Sequence, residues 1–126
     1  MKILDAKFVQ DFIKMADDGY QQGWHERNGG NLSYRIKPEE VEKRWGLVEG
    51  GGPTSELPTH LKNHEVKKRV SGGKHRVIYH AHTTNVIALT FVLPLKDEIF
   101  TRELWEMATE CPVVFPEGVG VIGWMV

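Results

Sequence analysis

The sequence predicts an α/β fold, because helical and strand-like segments alternate along the chain. Residues 5–22 and 56–70 have helical character, whereas residues 32–36 and 76–82 have the alternating or β-branched character of strands. Helices that alternate with strands are typical of the α/β class. At 126 residues the chain is long enough for one modest core. We therefore expect a single domain over residues 1–126.

The first helix is predicted by a stripe of apolar residues. A large or small apolar side chain recurs at every fourth position, at Phe8, Phe12, Ala16 and Tyr20. Gly23 is a plausible end for this helix, since glycine is favoured just past a helix C-terminus. We interpret the stripe as core packing.

The charge and the cysteine content exclude several functional classes. The formal net charge is −1, with 16 Lys and Arg against 17 Asp and Glu, so electrostatics do not favour nucleic acid or a membrane surface. Cys111 is the single cysteine, which excludes an internal disulfide and fits a reducing, cytoplasmic compartment. We expect no signal peptide, because the first residues lack a long apolar run, and the sequence contains no apolar run of about 20 residues that could span a bilayer.

Two histidines near the end of the second predicted strand are candidate metal ligands. Side chains alternate between the faces of a strand, so His80 and His82 are predicted to point the same way, together with Ile78. Two imidazoles on one face can both reach one zinc ion. The alternative is that the spacing is chance, or that each histidine caps a loop.

A glycine-rich loop precedes the first predicted strand. Its sequence, Glu26-Arg27-Asn28-Gly29-Gly30-Asn31, combines amide donors at Asn28 and Asn31 with glycines that allow close approach to a ligand. Successive backbone N–H groups in such a loop can form an anion-binding nest. The same residues are also ordinary turn chemistry between a helix and a strand.

The stretch Thr54-Ser55-Glu56 at the start of the second helix is open to two interpretations. The hydroxyls of Thr54 and Ser55 can bind an anion, or one of them can cap the helix that has Pro58 in its first turn. Glu56 can be an exposed first-turn carboxylate or a general base beside a metal. His60 and His64 lie four residues apart on one helical face and could bind a metal, but we expect them to be partly exposed surface residues.

Helices, turns and one strand are predicted for the rest of the chain. Residues 38–45 are expected to form a short helix or surface loop, and 50–53 a flexible connector without a nucleotide-binding pattern. Residues 84–93 are apolar nearly all round and predict a buried helix. Thr101 is expected to cap a helix over 102–109, and residues 113–115 are expected to form a strand. Glu110 then lies at a break in structure, as an exposed loop carboxylate.

Taken together, these stretches resemble the class II aldolase/adducin family, and within it the rhamnulose-phosphate branch. The resemblance is carried by four separated motifs in the family's order: residues 23–32, 53–60, 80–85, and 100–106 together with 109–111. The pieces Glu26-Arg27-Asn28-Gly29-Gly30-Asn31 and Trp124-Met125-Val126 point to the rhamnulose branch rather than the fuculose branch. Alternatives are another enzyme of the superfamily, a fuculose-phosphate aldolase or a sugar-phosphate 4-epimerase, and a non-catalytic, adducin-like scaffold.

The resemblance implies a role for each matching residue. His80 and His82 match two ligands of a Zn²⁺ cofactor, and Glu56 matches the acid/base carboxylate beside the metal. Glu110 matches a carboxylate that serves aldehyde-side proton transfer between neighbouring subunits. Residues that match positions around the phosphate and backbone of the sugar-phosphate substrate are Asn28, Gly29, Asn31, Thr54 and Ser55.

The resemblance also implies a fold, an assembly and two departures from the family pattern. The implied fold is an α/β/α layered domain around a largely antiparallel sheet, assembled as a homotetramer. Family members have a longer stretch between the strand at Tyr34 and the motif at Pro53, including a phosphate-binding Gly-Ser-Gly loop. Their third metal-binding histidine lies beyond Val126. The chain is therefore expected to be internally shortened and C-terminally truncated, with an incomplete metal site and little activity by itself.

Overall fold

The computed structural model describes residues 3–27, 29–40 and 51–123. The chain forms two compact units, Met1–Thr83 and Thr84–Val126. The first unit contains a 3-10 turn at Ile3–Asp5, α1 (Lys7–Gln21), β1 (Asn31–Tyr34), a 3-10 turn at Pro38–Glu40, α2 (Leu57–Val70) and β2 (Val77–His80). The second contains α3 (Thr84–Val92), α4 (Asp97–Glu106) and α5 (Cys111–Val114). The predicted mixture of helices and strands is confirmed.

The two strands of the first unit form an antiparallel sheet. The register pairs Asn31 with His80, Leu32 with Tyr79, Ser33 with Ile78 and Tyr34 with Val77. Because side chains alternate along each strand, the sheet has two chemically different faces. One face presents the polar residues Asn31, Ser33 and His80, and the opposite face presents Tyr34 and Tyr79.

Each face of this sheet contacts a different helix. Helix α2 contacts the polar face, where the rings of His60 and His64 both hydrogen-bond to Ser33. Helix α1 contacts the other face, where Phe8 stacks on Tyr34 with ring centroids 5.7 Å apart. The apolar stripe of α1 therefore packs as predicted near its start. Tyr20, at the other end of the stripe, is 71% exposed.

Helix α1 ends at the glycine that the sequence indicates. Gly23 adopts a φ of 70°, a left-handed conformation that favours glycine. Its N–H donates to the Tyr20 carbonyl at 3.0 Å, and the N–H of Trp24 donates to the Gly19 carbonyl at 2.9 Å. These two bonds are the pattern of a Schellman motif, which satisfies the last carbonyls of the helix.

The second unit differs from prediction in where α4 begins. The helix starts at Asp97, whereas the sequence suggested a start at Thr101. Asp97 and Glu98 place negative charge in the first turn, which the helix dipole favours. Thr101 lies inside α4, and its hydroxyl oxygen accepts the N–H of Val119 at 3.0 Å. Its role is therefore to hold a later loop against α4.

Two further predictions in the second unit are wrong. The strand expected at residues 113–115 is instead the helical turn α5, in which the Glu110 carbonyl accepts the N–H groups of Val113 and Val114. Pro112 lies in the first turn, where its missing N–H costs nothing. Helix α3 was expected to be buried, yet Phe91 is 84% exposed. An all-round apolar helix needs neighbours on every side, and the described part of the chain does not supply them.

The core of the described chain is small. Among the described residues, the buried apolar side chains are Ala6 in the first unit and Phe100 in the second. Residues 41–50 lie outside the described chain, as do Asn28 and the terminal Trp124-Met125-Val126, so the expectations for them stay predictions. Over the part of the chain that the structure describes, we find no helix with the length and apolar character that a membrane span requires.

Candidate functional site

The two candidate metal ligands lie together at the end of β2. His80 is the last residue of the strand, and its ring centroid lies 4.9 Å from that of His82. The backbone N–H of His82 donates to the Trp24 carbonyl at 2.8 Å, which holds the chain in place beyond the strand. Both histidines are half-buried. The two imidazoles thus lie close together, although β2 ends at His80 and His82 follows it.

The glycine-rich loop packs directly against this histidine pair. A Cβ atom on Gly29 would lie 2.9 Å from Nδ1 of His82 and 2.8 Å from the Glu26 carbonyl oxygen, closer than real side chains come. Gly30 has a φ of 83°, and a Cβ there would lie 2.9 Å from the His80 carbonyl. The N–H of Gly29 donates to the Glu26 carbonyl at 2.6 Å, so this amide is already paired within the loop.

Asn31 connects the histidine pair to helix α2. Its side-chain Nδ2 lies 3.3 Å from Nδ1 of His80, and its Oδ1 accepts a hydrogen bond from Nε2 of His60. Nδ1 of His60 lies 2.5 Å from the Ser33 hydroxyl oxygen, which is also 2.8 Å from Nε2 of His64. Asn31, predicted to contact substrate, is thus also part of a hydrogen-bonded network behind the site.

His60 and His64 are buried, which corrects the expectation that they lie on the surface. Only 3% of His60 and 8% of His64 is exposed. Residues four apart lie on one side of a helix, so His60 and His64 can both face the sheet. Residues two apart lie on one side of a strand, so Asn31 and Ser33 can both face the helix. These two spacings were the sequence signal that the four side chains could meet.

The surroundings of His64 favour the neutral form of its ring. Burial lowers the pKa of His64, and the positive charge of Arg35 and the electrostatic interaction with the neighbouring ring of His60 lower it further. Nδ1 of His64 is buried and has no hydrogen-bond partner among the described residues, and the same holds for Nε of Arg35. The other end of the Arg35 guanidinium donates to the Gly73 carbonyl at 2.9 Å.

Glu56 occupies the position immediately before α2. Its backbone N–H donates to the Thr54 hydroxyl oxygen at 3.3 Å, and its side chain makes no capping hydrogen bond. Glu56 itself is the N-cap, so neither Thr54 nor Ser55 caps the helix, although Pro58 does lie in the first turn. Glu56 is half-buried, while Thr54 and Ser55 are exposed. Its four-residue spacing from His60 puts Glu56 on the side of α2 that faces the sheet.

The remaining predicted site residue, Glu110, belongs to the second unit. It is exposed, lies immediately before α5, and its carboxylate accepts the Thr109 hydroxyl at 3.2 Å.

The described residues supply part of a zinc site. His80 and His82 offer the imidazole nitrogens that zinc prefers, whereas a catalytic zinc normally takes three protein ligands. No group of three His, Cys, Asp or Glu side chains suited to a metal ion forms among the described residues. The pair therefore fits two ligand positions and leaves a third to be supplied.

Comparisons with known proteins extend over nearly all of the chain. A rhamnulose-1-phosphate aldolase of Mannheimia succiniciproducens is 40% identical over 183 residues, covering 98% of this chain and 67% of the relative. Rhamnulose-1-phosphate aldolases of Yersinia pestis and Yersinia pseudotuberculosis are 37% identical over 184 residues, with the same coverage. No protein-family model matches the chain.

The fold and the site define a mixed α/β protein with two imidazoles gathered at the end of a short antiparallel sheet. By its relatives, the chain belongs to the rhamnulose-1-phosphate aldolase family. This confirms the family resemblance that the sequence motifs indicated. The aligned stretch of 183 positions is longer than the 126 residues of the chain, so the chain lacks a segment that the relative has inside this stretch.

Proposed function

We propose that the function associated with this chain is the zinc-dependent cleavage of L-rhamnulose 1-phosphate to dihydroxyacetone phosphate and L-lactaldehyde. The observation that carries the proposal is the close pair of His80 and His82 in a chain whose relatives are rhamnulose-1-phosphate aldolases. The proposed assembly is a homotetramer of class II layered domains in the cytoplasm, of which the two-stranded sheet and its flanking helices would be one part.

The proposed roles follow from the charge that aldol cleavage creates. Breaking the C3–C4 bond leaves negative charge on the carbon that becomes part of dihydroxyacetone phosphate. Zinc, when held by His80, His82 and a further ligand, would supply a Lewis acid that stabilises this charge. The Glu56 carboxylate exchanges the proton at that carbon, which requires a base close to it.

The other predicted residues position the substrate. Hydroxyl, amide and backbone donors would hold the phosphate, so that the reacting carbons stay beside the metal. The donors proposed for this role are Asn28, Gly29, Asn31, Thr54 and Ser55. Glu110 of a neighbouring subunit would transfer a proton on the aldehyde side.

A coupled assay for dihydroxyacetone phosphate tests the proposal. With zinc present, the relative from Mannheimia succiniciproducens is expected to turn over L-rhamnulose 1-phosphate in preference to fuculose and ribulose phosphates. This chain alone is expected to show little or no turnover, because two imidazoles are fewer than the three ligands of a catalytic zinc. Grafting the segments that only the relative has onto this chain should restore activity.

Failure of the grafted chain to cleave the substrate with zinc bound would argue against the assignment. Turnover of another sugar phosphate would favour a different enzyme of the superfamily. A grafted chain that binds no metal at all would favour a scaffolding role.

A further inference from the structure

A continuous row of polar side chains leads from the candidate metal ligand into the interior of the first unit. Each member hydrogen-bonds to the next, in the order His80, Asn31, His60, Ser33, His64. The row crosses from β2 to β1 and then to α2. Its last two histidines are buried, so water cannot easily replace the bonds that they make.

The chemistry of each group determines the direction in which its hydrogen bond runs. An amide oxygen only accepts, so the proton of a neutral His60 lies on Nε2, which faces Oδ1 of Asn31. Nδ1 of His60 then accepts, and the single proton of the Ser33 hydroxyl is donated to it. The Ser33 oxygen in turn accepts from Nε2 of His64. Every bond is satisfied with all rings neutral, consistent with the lowered pKa of His64.

The direction of these bonds determines which nitrogen of His80 carries the proton. The Asn31 amide nitrogen donates to Nδ1 of His80, so the proton of a neutral His80 lies on Nε2. A metal takes an unprotonated ring nitrogen. The nitrogen of His80 without a proton is therefore Nδ1, which is already hydrogen-bonded to the Asn31 amide. Freeing Nε2 for a metal requires the Asn31 amide to turn over, so that its oxygen accepts from Nδ1–H.

We propose that His60 is a positioning residue, which acts through Asn31 to orient the His80 ring and to select its protonated nitrogen. The proposal rests on the proposed function in that His80 is taken as a zinc ligand. Outer partners of metal-binding histidines commonly have this role. Here the partner is an amide whose orientation is set by a buried imidazole.

Zinc binding through Nε2 of His80 would reverse the direction of every hydrogen bond in the row. His80 would donate from Nδ1 to Asn31, Asn31 to Nε2 of His60, His60 from Nδ1 to Ser33, and Ser33 to Nε2 of His64. Each ring keeps one proton, so the reversal takes up and releases no net proton. The proton of His64 moves from Nε2 to Nδ1, the atom that has no partner among the described residues. His64 would thus report zinc binding at a distance.

Two substitutions at one position separate the two bonds of His60. The side-chain amide of glutamine reaches the place of Nε2, so His60→Gln keeps a partner for Asn31 and loses the bond to Ser33. The shorter amide of asparagine reaches the place of Nδ1, so His60→Asn keeps Ser33 and loses Asn31. His75→Asn is a matched control, because His75 is exposed and lies outside the row.

Nitrogen-15 NMR of the histidine rings tests the proposal in the metal-free chain. His80 should carry its proton on Nε2 in the unsubstituted chain, in His60→Gln and in His75→Asn, and should become a mixture of tautomers in His60→Asn. Zinc titration against a competing chelator should show affinity reduced about tenfold or more in His60→Asn, less in His60→Gln, which loses only the bond to Ser33, and not at all in His75→Asn. Thermal unfolding measured on both variants separates these effects from a general loss of stability.

The outcomes distinguish this proposal from the proposed function. Identical His80 tautomers and zinc affinities in the glutamine and asparagine variants would overturn the positioning role. Zinc binding by the unsubstituted chain without a change in the His64 tautomer would overturn the reversal, even if neither variant folds. If the unsubstituted chain binds no zinc, its missing third ligand accounts for that, and the tautomers of the metal-free variants alone decide the positioning role. Absence of zinc binding by the grafted chain would instead count against the proposed function as regards His80.

Discussion

The two faces of the sheet in the first unit are made by the same two strands, yet they are held to their helices by different interactions. On the α2 face, Asn31 and Ser33 hydrogen-bond to buried imidazoles. On the α1 face, Tyr34 stacks on Phe8 and meets Phe12 edge-on at 6.2 Å. Hydrogen bonds fix the orientation of a ring, whereas aromatic contacts contribute mainly by burying apolar area. The comparison suggests that one face positions the site and the other stabilises the fold.

An ion pair closes the aromatic face at its edge. The Arg76 guanidinium lies 2.6 Å from the Glu40 carboxylate and 4.9 Å from the centre of the Tyr34 ring. The Tyr34 hydroxyl donates to the same carboxylate at 2.8 Å. The hydrogen bond from the Lys37 backbone, then those from Tyr34 and Arg76, lower the pKa of Glu40 to about 2.

The largest effect is expected on the polar face, at Glu56. In the chain grafted with the relative's segments, Glu56→Gln should lower turnover by about a hundredfold or more, since the base is lost while the shape is kept. Thermal stability should change little, because the Glu56 side chain makes no capping bond. Steady-state kinetics and thermal unfolding of the two chains check this. Unchanged turnover would show that Glu56 is not the base.

Neighbouring residues on β1 test whether the two faces are functionally separate. Ser33→Ala leaves nitrogens of His60 and His64 unpaired, which should reduce the free energy of unfolding by about 1–3 kcal/mol and weaken zinc binding. Tyr34→Ala removes the stacked ring, which should reduce the free energy of unfolding by about 2 kcal/mol and leave the zinc affinity unchanged. Denaturant unfolding and chelator competition on both variants check this. Equal losses of zinc affinity would mean that the faces are coupled.

Two glycines, Gly23 at the end of α1 and Gly29 in the glycine-rich loop, separate the effect of backbone strain from the effect of contact with the histidine pair. Gly23→Ala should cost about 1 kcal/mol from its left-handed backbone alone, because a Cβ there meets nothing within 4 Å. Gly29→Ala would instead push a Cβ against Nδ1 of His82. It should therefore lower zinc affinity, whereas Gly23→Ala should leave it unchanged. Denaturant unfolding with zinc titration separates strain of the backbone from displacement of the ligand.

The smallest expected effect concerns the exposed ion pair on the aromatic face. The pKa of Glu40 is lowered from 4.5 to about 2 in the folded chain, so its contribution to stability is present above pH 4.5. That contribution is lost as the pH falls towards 2. Melting temperatures measured across this range should fall more steeply in the unsubstituted chain than in Glu40→Gln. Parallel curves would show that the pair contributes nothing measurable.

Features that depend on local spacing could be predicted from the sequence, whereas features that depend on distant partners could not. The closeness of His80 and His82 agrees with their two-residue spacing, although β2 ends at His80, and the end of α1 follows from Gly23. The burial of His60 and His64 depends on which strand α2 meets, and nothing local to α2 specifies this. The prediction that both are surface residues is therefore wrong, because His60 contacts Asn31 and Ser33 of β1 and His64 contacts Ser33.

The errors in the second unit arose where two local signals competed. Thr101 and Asp97 are both acceptable near a helix start, and the packing of Phe100 and the bond to Val119 favour the earlier one. The β-branched run at Val113 and Val114 favours a strand, but Pro112 and the carbonyl of Glu110 complete a helical turn first. The start of α4 therefore depends on a contact with the later residue Val119, whereas the turn α5 depends on Glu110 and Pro112, which come just before Val113.

The two-stranded sheet has a consequence for how the chain behaves in solution. Within the described residues the sheet has two strands and therefore two outer edges, whose backbone N–H and C=O groups can pair with an extended segment. A sheet this small is also marginally stable by itself. An added strand, from a synthetic peptide or from another copy, would lengthen the ladder beside the histidine pair. Folding of this chain should therefore depend on its concentration.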